Sequence, residues 1–324
     1  MIIAGIDEAG YGPVLGPLVV ACCAVQTPDG EDLPCLWKRL SRVAGKSRCK
    51  KGLKLHINDS KAVYSPSQGL KELERAVLCL MAQAHRLAPG LPLELDAVLR
   101  CIDPSLVEHL PRYAWYRNGL EARYPIEVEG VSLQITSNAY RIESERSATH
   151  CVQYKAHVLL EKQFNDVVEK TRNKASASFS LVARHMDGLL RAYADQNLVI
   201  VCDRQGGREH YGHVLRTMFE EWSLEILSET EKRAEYRLSQ GNRSARIIFC
   251  EKAESIALPV AAASMLAKYT REALMHRFNR YWQQQKPELA PTAGYYTDGW
   301  RFLRDIEDVR AKLGVRDGEL IRSR

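Results

Sequence analysis

The sequence predicts an α/β chain in which a mixed sheet, opened by an antiparallel hairpin, is flanked by helices and followed by a helical C-terminal tail. Three observations carry this reading. Ile2-Ile3-Ala4-Gly5-Ile6 is a β-branched run, followed by a turn punctuated by glycine and proline from Gly10 to Pro17 and by a second apolar run over 18–25; that pattern is strand, tight turn, antiparallel strand. Leu198-Val199-Ile200-Val201-Cys202 is a compact apolar run of the buried-strand kind. Segments of helical period lie among these strands without strict β-α-β alternation.

In chain order, a polar basic loop follows the hairpin to about residue 56. The stretch 65–87 carries Leu70, Leu73, Ala76, Val77, Leu80 and Met81 at helical spacing, with Ser65-Pro66 as cap and first-turn proline. From 88 to about 149, Pro89, Pro92, Pro104, Pro111 and Pro125 break the pattern into short apolar pieces, and a strand is expected over 131–135. This part reads as an insertion or small subdomain. Helices are expected over 154–173 and 179–194, then the strand 198–202, which ends in Asp203-Arg204-Gln205-Gly206-Gly207. A helix over 208–222, a polar strand pair around Tyr236 and Ile247, an alanine-rich helix over 256–282 and a helix near 300–313 complete the chain.

With 324 residues, 45% hydrophobic and 27% charged, fibrous, collagen-like and wholly disordered classes are excluded. The formal charge is +6, and eight cations without one acid (Lys38, Arg39, Arg42, Lys46, Arg48, Lys50, Lys51, Lys54) more than account for it. The basic excess is therefore local, and suits a polyanionic partner. The apolar stretch 13–25 contains Gly16 and Pro17, is too short to span a membrane and lacks the basic start of a signal peptide. Nine cysteines, an odd number with no C-x-x-C pair, fit reduced thiols and a cytoplasmic location, without structural zinc.

The chemistry-bearing segments are three. In Gly5-Ile6-Asp7-Glu8-Ala9-Gly10-Tyr11-Gly12-Pro13 two carboxylates stand at a strand end beside a glycine-bracketed turn, where backbone approaches a ligand closely and acids hold a hard cation. Adjacent strand residues face opposite ways, so this spacing alone does not put both acids in one site. Asp203 ends the apolar run 198–202, where sheets present ligand groups. Glu251 and Glu254 precede the alanine-rich segment 260–268, where either acid also suits a helix N-terminus, and Ser264 reads as a small helix-packing position. Together the acids suggest two-metal phosphoryl chemistry. Neither a G-x-S-x-G elbow, a Walker A loop nor a Rossmann fingerprint is present.

In their order these segments resemble the type 2 ribonucleases H, the ribonuclease HII and HIII family. The opening motif with Gly16-Pro17-Leu18-Val19-Val20 looks like the family's first strands. Asn58-Asp59-Ser60-Lys61 looks like its next motif, and the strand ending at Asp203 looks like the one bearing its third carboxylate. Lys252-Ala253-Glu254 with 260–272 looks like its last acid and following helix. The resemblance covers mainly 1–26, 56–86 and about 155–300. It implies a ribonuclease H-like fold and an endoribonuclease acting on the RNA strand of RNA/DNA hybrids, or on ribonucleotides embedded in duplex DNA, leaving 3′-hydroxyl and 5′-phosphate ends.

It further implies that Asp7, Glu8, Asp203 and Glu254 form the catalytic set and hold two Mg²⁺ or Mn²⁺ ions. Gly10, Tyr11 and Gly12 would read the ribose 2′-hydroxyl, Lys61 would neutralise a phosphate, and Lys268 and Arg271 would add contacts. Tyr295, in Ala293-Gly294-Tyr295-Tyr296-Thr297-Asp298, would pack on a sugar, with Tyr296 as the alternative. Tyr11 stands where the family has a cation and Glu254 where ribonuclease HII commonly has aspartate, which leaves Glu251 in reserve. The implied organisation is a catalytic body in two parts, 1–87 with the basic loop 27–56 and 151–285, interrupted by the insertion 88–150 and followed by the C-terminal helical segment 286–324. The basic loop is expected to touch nucleic acid, and the protein to act as a monomer away from membranes. The rival reading is a catalytically weak or silent relative that binds hybrid duplexes; a nuclease of branched DNA is a lesser one.

Overall fold

The computed structural model describes residues 1–30, 33–49, 53–87, 94–117, 127–205 and 208–323. Strands β1 (Ile2–Ala9) and β2 (Leu18–Gln26) form the expected antiparallel hairpin, with Ile6 opposite Cys22. The basic loop is partly ordered: helix α1 (Leu36–Arg39) buries Leu36 and Trp37, and β3 (Ala44–Gly45) pairs in parallel with β4 (Leu55–His56). Lys50, Lys51, Gly206 and Gly207 lie outside the described residues. A short α2 (Ser60–Val63) precedes α3 (Lys71–Ala84), which starts later than the periodicity suggests. Ser65-Pro66 sits in a separate turn, Gln68 N–H donating to the Ser65 carbonyl, and Leu70 occupies the N-cap instead.

The described part of 88–150 is helical: α4 (Leu95–Ile102), α5 (Pro104–His109), two 3₁₀ turns (Leu110–Arg112 and Ala114–Tyr116) and α6 (Gly130–Ser147). The strand expected over 131–135 is thus a correction. Val131 and Ile135 are spaced four apart and exposed while Leu133, Thr136, Ser137 and Tyr140 are buried, so three-dimensional packing selects the helical period. The helix expected over 154–173 is likewise two elements, β5 (His150–Leu159) and α7 (Glu161–Thr171).

Next come α8 (Lys174–Tyr193), β6 (Leu198–Asp203) and α9 (Gly212–Met218), shorter than the expected 208–222 because the chain then enters β7 (Ser223–Glu229), a strand the sequence did not disclose. Strands β8 (Arg233–Gln240) and β9 (Arg243–Cys250) are the expected polar pair. Helix α10 (Ala253–Ile256) is split from α11 (Leu258–Gln285), whose Pro259 lies in the first turn where its missing N–H costs nothing. The tail carries α12 (Tyr296–Asp305), α13 (Glu307–Lys312) and α14 (Asp317–Leu320) in place of one helix.

One mixed sheet of order β5-β2-β1-β6-β9-β8-β7 organises the chain. β1, β6 and β9 are mutually parallel at its centre and the outer pairs are antiparallel. Side chains alternate between two covered faces. Ile3, Val19, Val199 and Val201 pack towards α11, α3 and the 94–117 helices, whereas Ile2, Ala4, Ile6, Ile200 and Cys202 pack towards α7 and α8. The 94–117 helices share the first of these cores, Trp115 stacking on Trp282 of α11 with centroids 6.2 Å apart. No helix among the described residues is long and apolar enough to cross a membrane.

A buried histidine pair on the opposite face gives this fold a testable acid limb. His185 of α8 stacks on His157 of β5 at 4.2 Å, and its Nε2 lies 2.9 Å from the Val20 carbonyl. Asp103 faces His157 at 3.7 Å. Burial first, and then the His157 charge, pull His185 down to about 3. The folded state therefore resists protonation that the unfolded chain accepts below about 6.5, so stability is full above that pH and falls towards pH 3. Chemical denaturation is expected to show wild type losing about 2 kcal/mol more than His185→Gln between pH 6.5 and 5. Parallel losses in both proteins would show that His185 remains neutral in neither state or in both.

Candidate active site

The parallel centre of the sheet ends where the acids are. β1 and β6 run in register as far as Ile6 opposite Cys202, and β6 and β9 as far as Asp203 opposite Cys250. Asp7 and Asp203 follow the alternation onto the α11 face, and Glu254 enters from α10 immediately beyond β9. C-terminal ends of parallel strands are where open α/β sheets place their ligands. Here they border a cavity of about 570 Å³ lined by Asp7, Glu8, Asp203 and Glu254, and also by Gly10, Tyr11, Gly12, Lys61, Lys268, Arg271 and Tyr295.

Asp7 is held by the Glu8 N–H, which donates to Oδ1 at 2.7 Å, and the nearby Ser264 hydroxyl favours its charged form. Glu8 faces the other way, as its strand position requires. Its Oε2 accepts from the Ser178 hydroxyl and, at 2.8 Å, from Gln205 Nε2. Asp203 accepts from the Ala253 N–H at 3.1 Å, tying β6 to the turn that presents Glu254. Burial is the largest cause raising all four carboxyls, and the Asp203 charge further raises Asp7, Glu8 and Glu254. Asp203 is thus the electrostatic hub, and Lys61 at the exposed rim pulls both it and Glu254 back down.

Such a donor set, hard oxygens with crowded negative charge, fits a divalent cation in its chemistry. Its arrangement is not a finished cage: among the described residues no three His, Cys, Asp or Glu side chains are disposed to hold a metal ion. The turn of Glu8 towards Ser178 and Gln205 is one reason. Glu251 does not serve as a reserve ligand in this arrangement; it is 55% exposed, pairs with Arg204 at 3.0 Å and does not line the cavity.

Around the acids, Gly10 adopts φ +86, and a Cβ there would lie 2.5 Å from the Pro17 carbonyl, so the sharp turn after β1 requires glycine. Tyr295 is half exposed and lines the cavity, whereas Tyr296 does not. Lys268 is partly withdrawn into an ion pair with Glu272 and lies 4.8 Å over the Tyr64 ring. Arg271 lines the cavity with little of its side chain exposed. Its side chain is 1% exposed and donates to the carbonyls of Ala293 at 2.8 Å and Leu15 at 3.3 Å, with the Tyr295 ring 5.5 Å away. It braces the rim from below.

Asp59, Lys252 and Ser264 line the same cavity and were not singled out for it by sequence. Asp59 caps α2 through the Lys61 N–H, and its charge raises Asp203 and Glu254. Ser264 joins packing to chemistry: it lines the cavity beside Asp7 while its Oγ lies 3.2 Å from Ser60 Oγ. The signals available were the segments themselves, Asn58-Asp59-Ser60-Lys61 for Asp59 and Lys252-Ala253-Glu254 with 260–272 for Lys252 and Ser264. The basic segment also reaches this region: Lys46 donates to the Ser255 carbonyl at 2.6 Å, next to Glu254, and lies over Trp37.

A family model described as Ribonuclease HII matches residues 4–36 and 217–301, blocks that include Asp7, Glu8, the 10–12 turn, Glu254 and Tyr295. The chain is similar to ribonuclease HII over these two blocks, which together make up less than half of its length. Asp203 and Lys61 fall between the matched blocks and are brought to the site by the fold. The Ribonuclease HII of Methanocaldococcus jannaschii is 48% identical over 48 residues, 15% of this chain, and the match spans only 21% of that relative's length. Among solved structures, the PCNA:RNase HII complex from Archaeoglobus fulgidus gives a TM-score of 0.46 at 16% identity, covering 100% of this chain and 95% of that one. The ribonuclease H2 from Pyrococcus horikoshii OT3 gives 0.42 at 15% identity, covering 99% and 92%.

Proposed function

We propose that this chain is a metal-dependent endoribonuclease that hydrolyses the RNA strand of RNA/DNA hybrids, or ribonucleotides embedded in duplex DNA, to 3′-hydroxyl and 5′-phosphate ends. The observation that supports it best is the meeting of Asp7, Asp203 and Glu254 at the ends of three parallel strands, beside the exposed backbone of Gly10-Tyr11-Gly12. Asp7, Asp203 and Glu254, joined by Glu8 once it leaves Ser178, would hold Mg²⁺ or Mn²⁺, which when bound supply Lewis acidity to the scissile phosphate and the attacking water. Lys61, exposed at the rim, would bind a neighbouring phosphate, and Lys46 would extend that contact along the basic segment. The Tyr11 and Gly12 backbone would meet the ribose 2′-hydroxyl, the group that separates RNA from DNA. Tyr295 would pack against the adjoining sugar. The partner is accordingly a ribonucleotide-containing duplex bound by a monomer.

The turned Glu8 and the open arrangement of acids favour a second reading, a weak or silent relative that binds hybrids without cutting them. Three matched labelled duplexes separate the two: all-DNA, DNA with one embedded ribonucleotide, and full RNA/DNA hybrid, each with Mg²⁺, Mn²⁺ or EDTA. Cutting of either ribonucleotide-containing duplex with metal, and of none in EDTA, is the expected result. Binding without cutting under every metal would favour the silent relative, and cutting of the all-DNA duplex would point to a different nuclease.

A further inference from the structure

The turn between β1 and β2 is held from beneath by a residue of the C-terminal tail. Arg322 is 2% exposed, and its Nη1 donates to the Gly10 carbonyl while Nη2 donates to the Tyr11 carbonyl at 3.3 Å. The Gly16 carbonyl is a further acceptor at 3.5 Å, and the Arg322 N–H donates to the Val14 carbonyl at 2.9 Å. The guanidinium lies 4.0 Å over the Phe164 ring of α7. Asn165, the next residue of α7, clamps the tail around it: Nδ2 donates to the carbonyls of Gly318 and Ile321 at 3.0 and 2.7 Å, and Oδ1 accepts from the Ser323 N–H at 2.7 Å.

Carbonyl and following N–H point in opposite directions in a planar trans peptide. Anchoring the Gly10 and Tyr11 carbonyls downwards therefore turns the amides of Tyr11 and Gly12 the other way, and both of these residues line the cavity. A two-pronged guanidinium suits this grip, since one rigid group spans two acceptors at once. Arg271 braces the far side of the same turn through the Leu15 carbonyl, so two cations lie under it. The buried Glu161 and the Glu8 charge offset part of the cost of burying the Arg322 guanidinium, which leaves its N–H groups to grip the turn.

We infer that Arg322 is a positioning residue: it aims the Tyr11 and Gly12 amides at the ligand and so sets discrimination of a ribose 2′-hydroxyl from deoxyribose. The inference rests on the function proposed above. Binding in EDTA tests it without cleavage, by comparing affinity for a duplex with one ribonucleotide and for its all-DNA counterpart in wild type, Arg322→Lys, Arg322→Met and Asn165→Ala. Wild type is expected to prefer the ribonucleotide, Arg322→Met to lose about tenfold of that preference, the worth of a well-aimed hydrogen bond, and Arg322→Lys to fall between. Asn165→Ala loosens the tail while leaving the guanidinium in place, and should lower the preference in the same direction, with faster amide exchange over 318–323.

Undiminished preference in Arg322→Met, or in an Asn165→Ala protein whose tail amides exchange freely, would overturn the inference and leave Arg322 a structural clamp. A wild type that binds both duplexes equally would overturn the functional reading itself, a different failure.

Discussion

Asp7→Asn is expected to abolish metal-dependent cleavage, by about a thousandfold or more, equivalent to about 4 kcal/mol of transition-state stabilisation, while hybrid binding in EDTA stays measurable. The substitution keeps the shape and the acceptor oxygen that the Glu8 N–H uses, so it removes charge with little else. That charge is disfavoured by its surroundings, since burial first, and the neighbouring Asp203 and Glu8 charges after it, raise the Asp7 carboxyl well above the usual carboxylate range. Removing it should therefore hold or raise the thermal midpoint, the pattern of a group kept for function at a cost in stability. The pair of readouts matters. Near-normal turnover would take Asp7 out of the metal site, and a lowered midpoint would mean its carboxylate stabilises the fold instead of straining it.

What the sequence disclosed and withheld divides along contact order. Asp7, Glu8 and the glycine turn are contiguous in the chain, and Asp203 closes an unmistakable buried strand, so local pattern reveals them. That Asp7 and Asp203 share a face follows only from the parallel register of β1 and β6. Asp59 meets Ser264 across the fold through a distance of 3.5 Å that no spacing encodes. β5 was hidden because its burial alternates imperfectly, with His150, Gln153, Lys155 and His157 among Cys151, Tyr154, Ala156 and Val158, while the α7 periodicity begins directly after it. The burial of Arg271 was hidden for a different reason. α11 is buried on nearly every side, so a cation on it need not mark a wet face. Arg322, in a short polar run near the end of the sequence, carries no local signal of the turn it holds.

Gly5→Ala should be severely damaging, costing about 4 kcal/mol or more, the range reserved for severe core disruption. Gly5 lies mid-strand in β1, opposite Cys23 of β2 and Val201 of β6. The first turn of α11 crosses it so closely that a Cβ would stand 2.1 Å from the Val260 nitrogen, 2.2 Å from the Pro259 carbonyl carbon and 2.6 Å from its oxygen. All three are backbone atoms, so no rotamer change relieves the clash, and α11 must move off the sheet. Ser264, Lys268 and Arg271 move with it, and Glu254 lies just upstream; a displacement near 1 Å at a catalytic constellation costs about a hundredfold in rate. Urea midpoints and cleavage rates are therefore expected to fall together. Gly12→Ala is the control within the same motif, because a Cβ there meets nothing within 4 Å; its stability should stay within about 0.5 kcal/mol of wild type. A Gly5→Ala protein with an unchanged urea midpoint would show that α11 does not rest on β1 at this distance, and the placement of Ser264 against Asp7 would need another support.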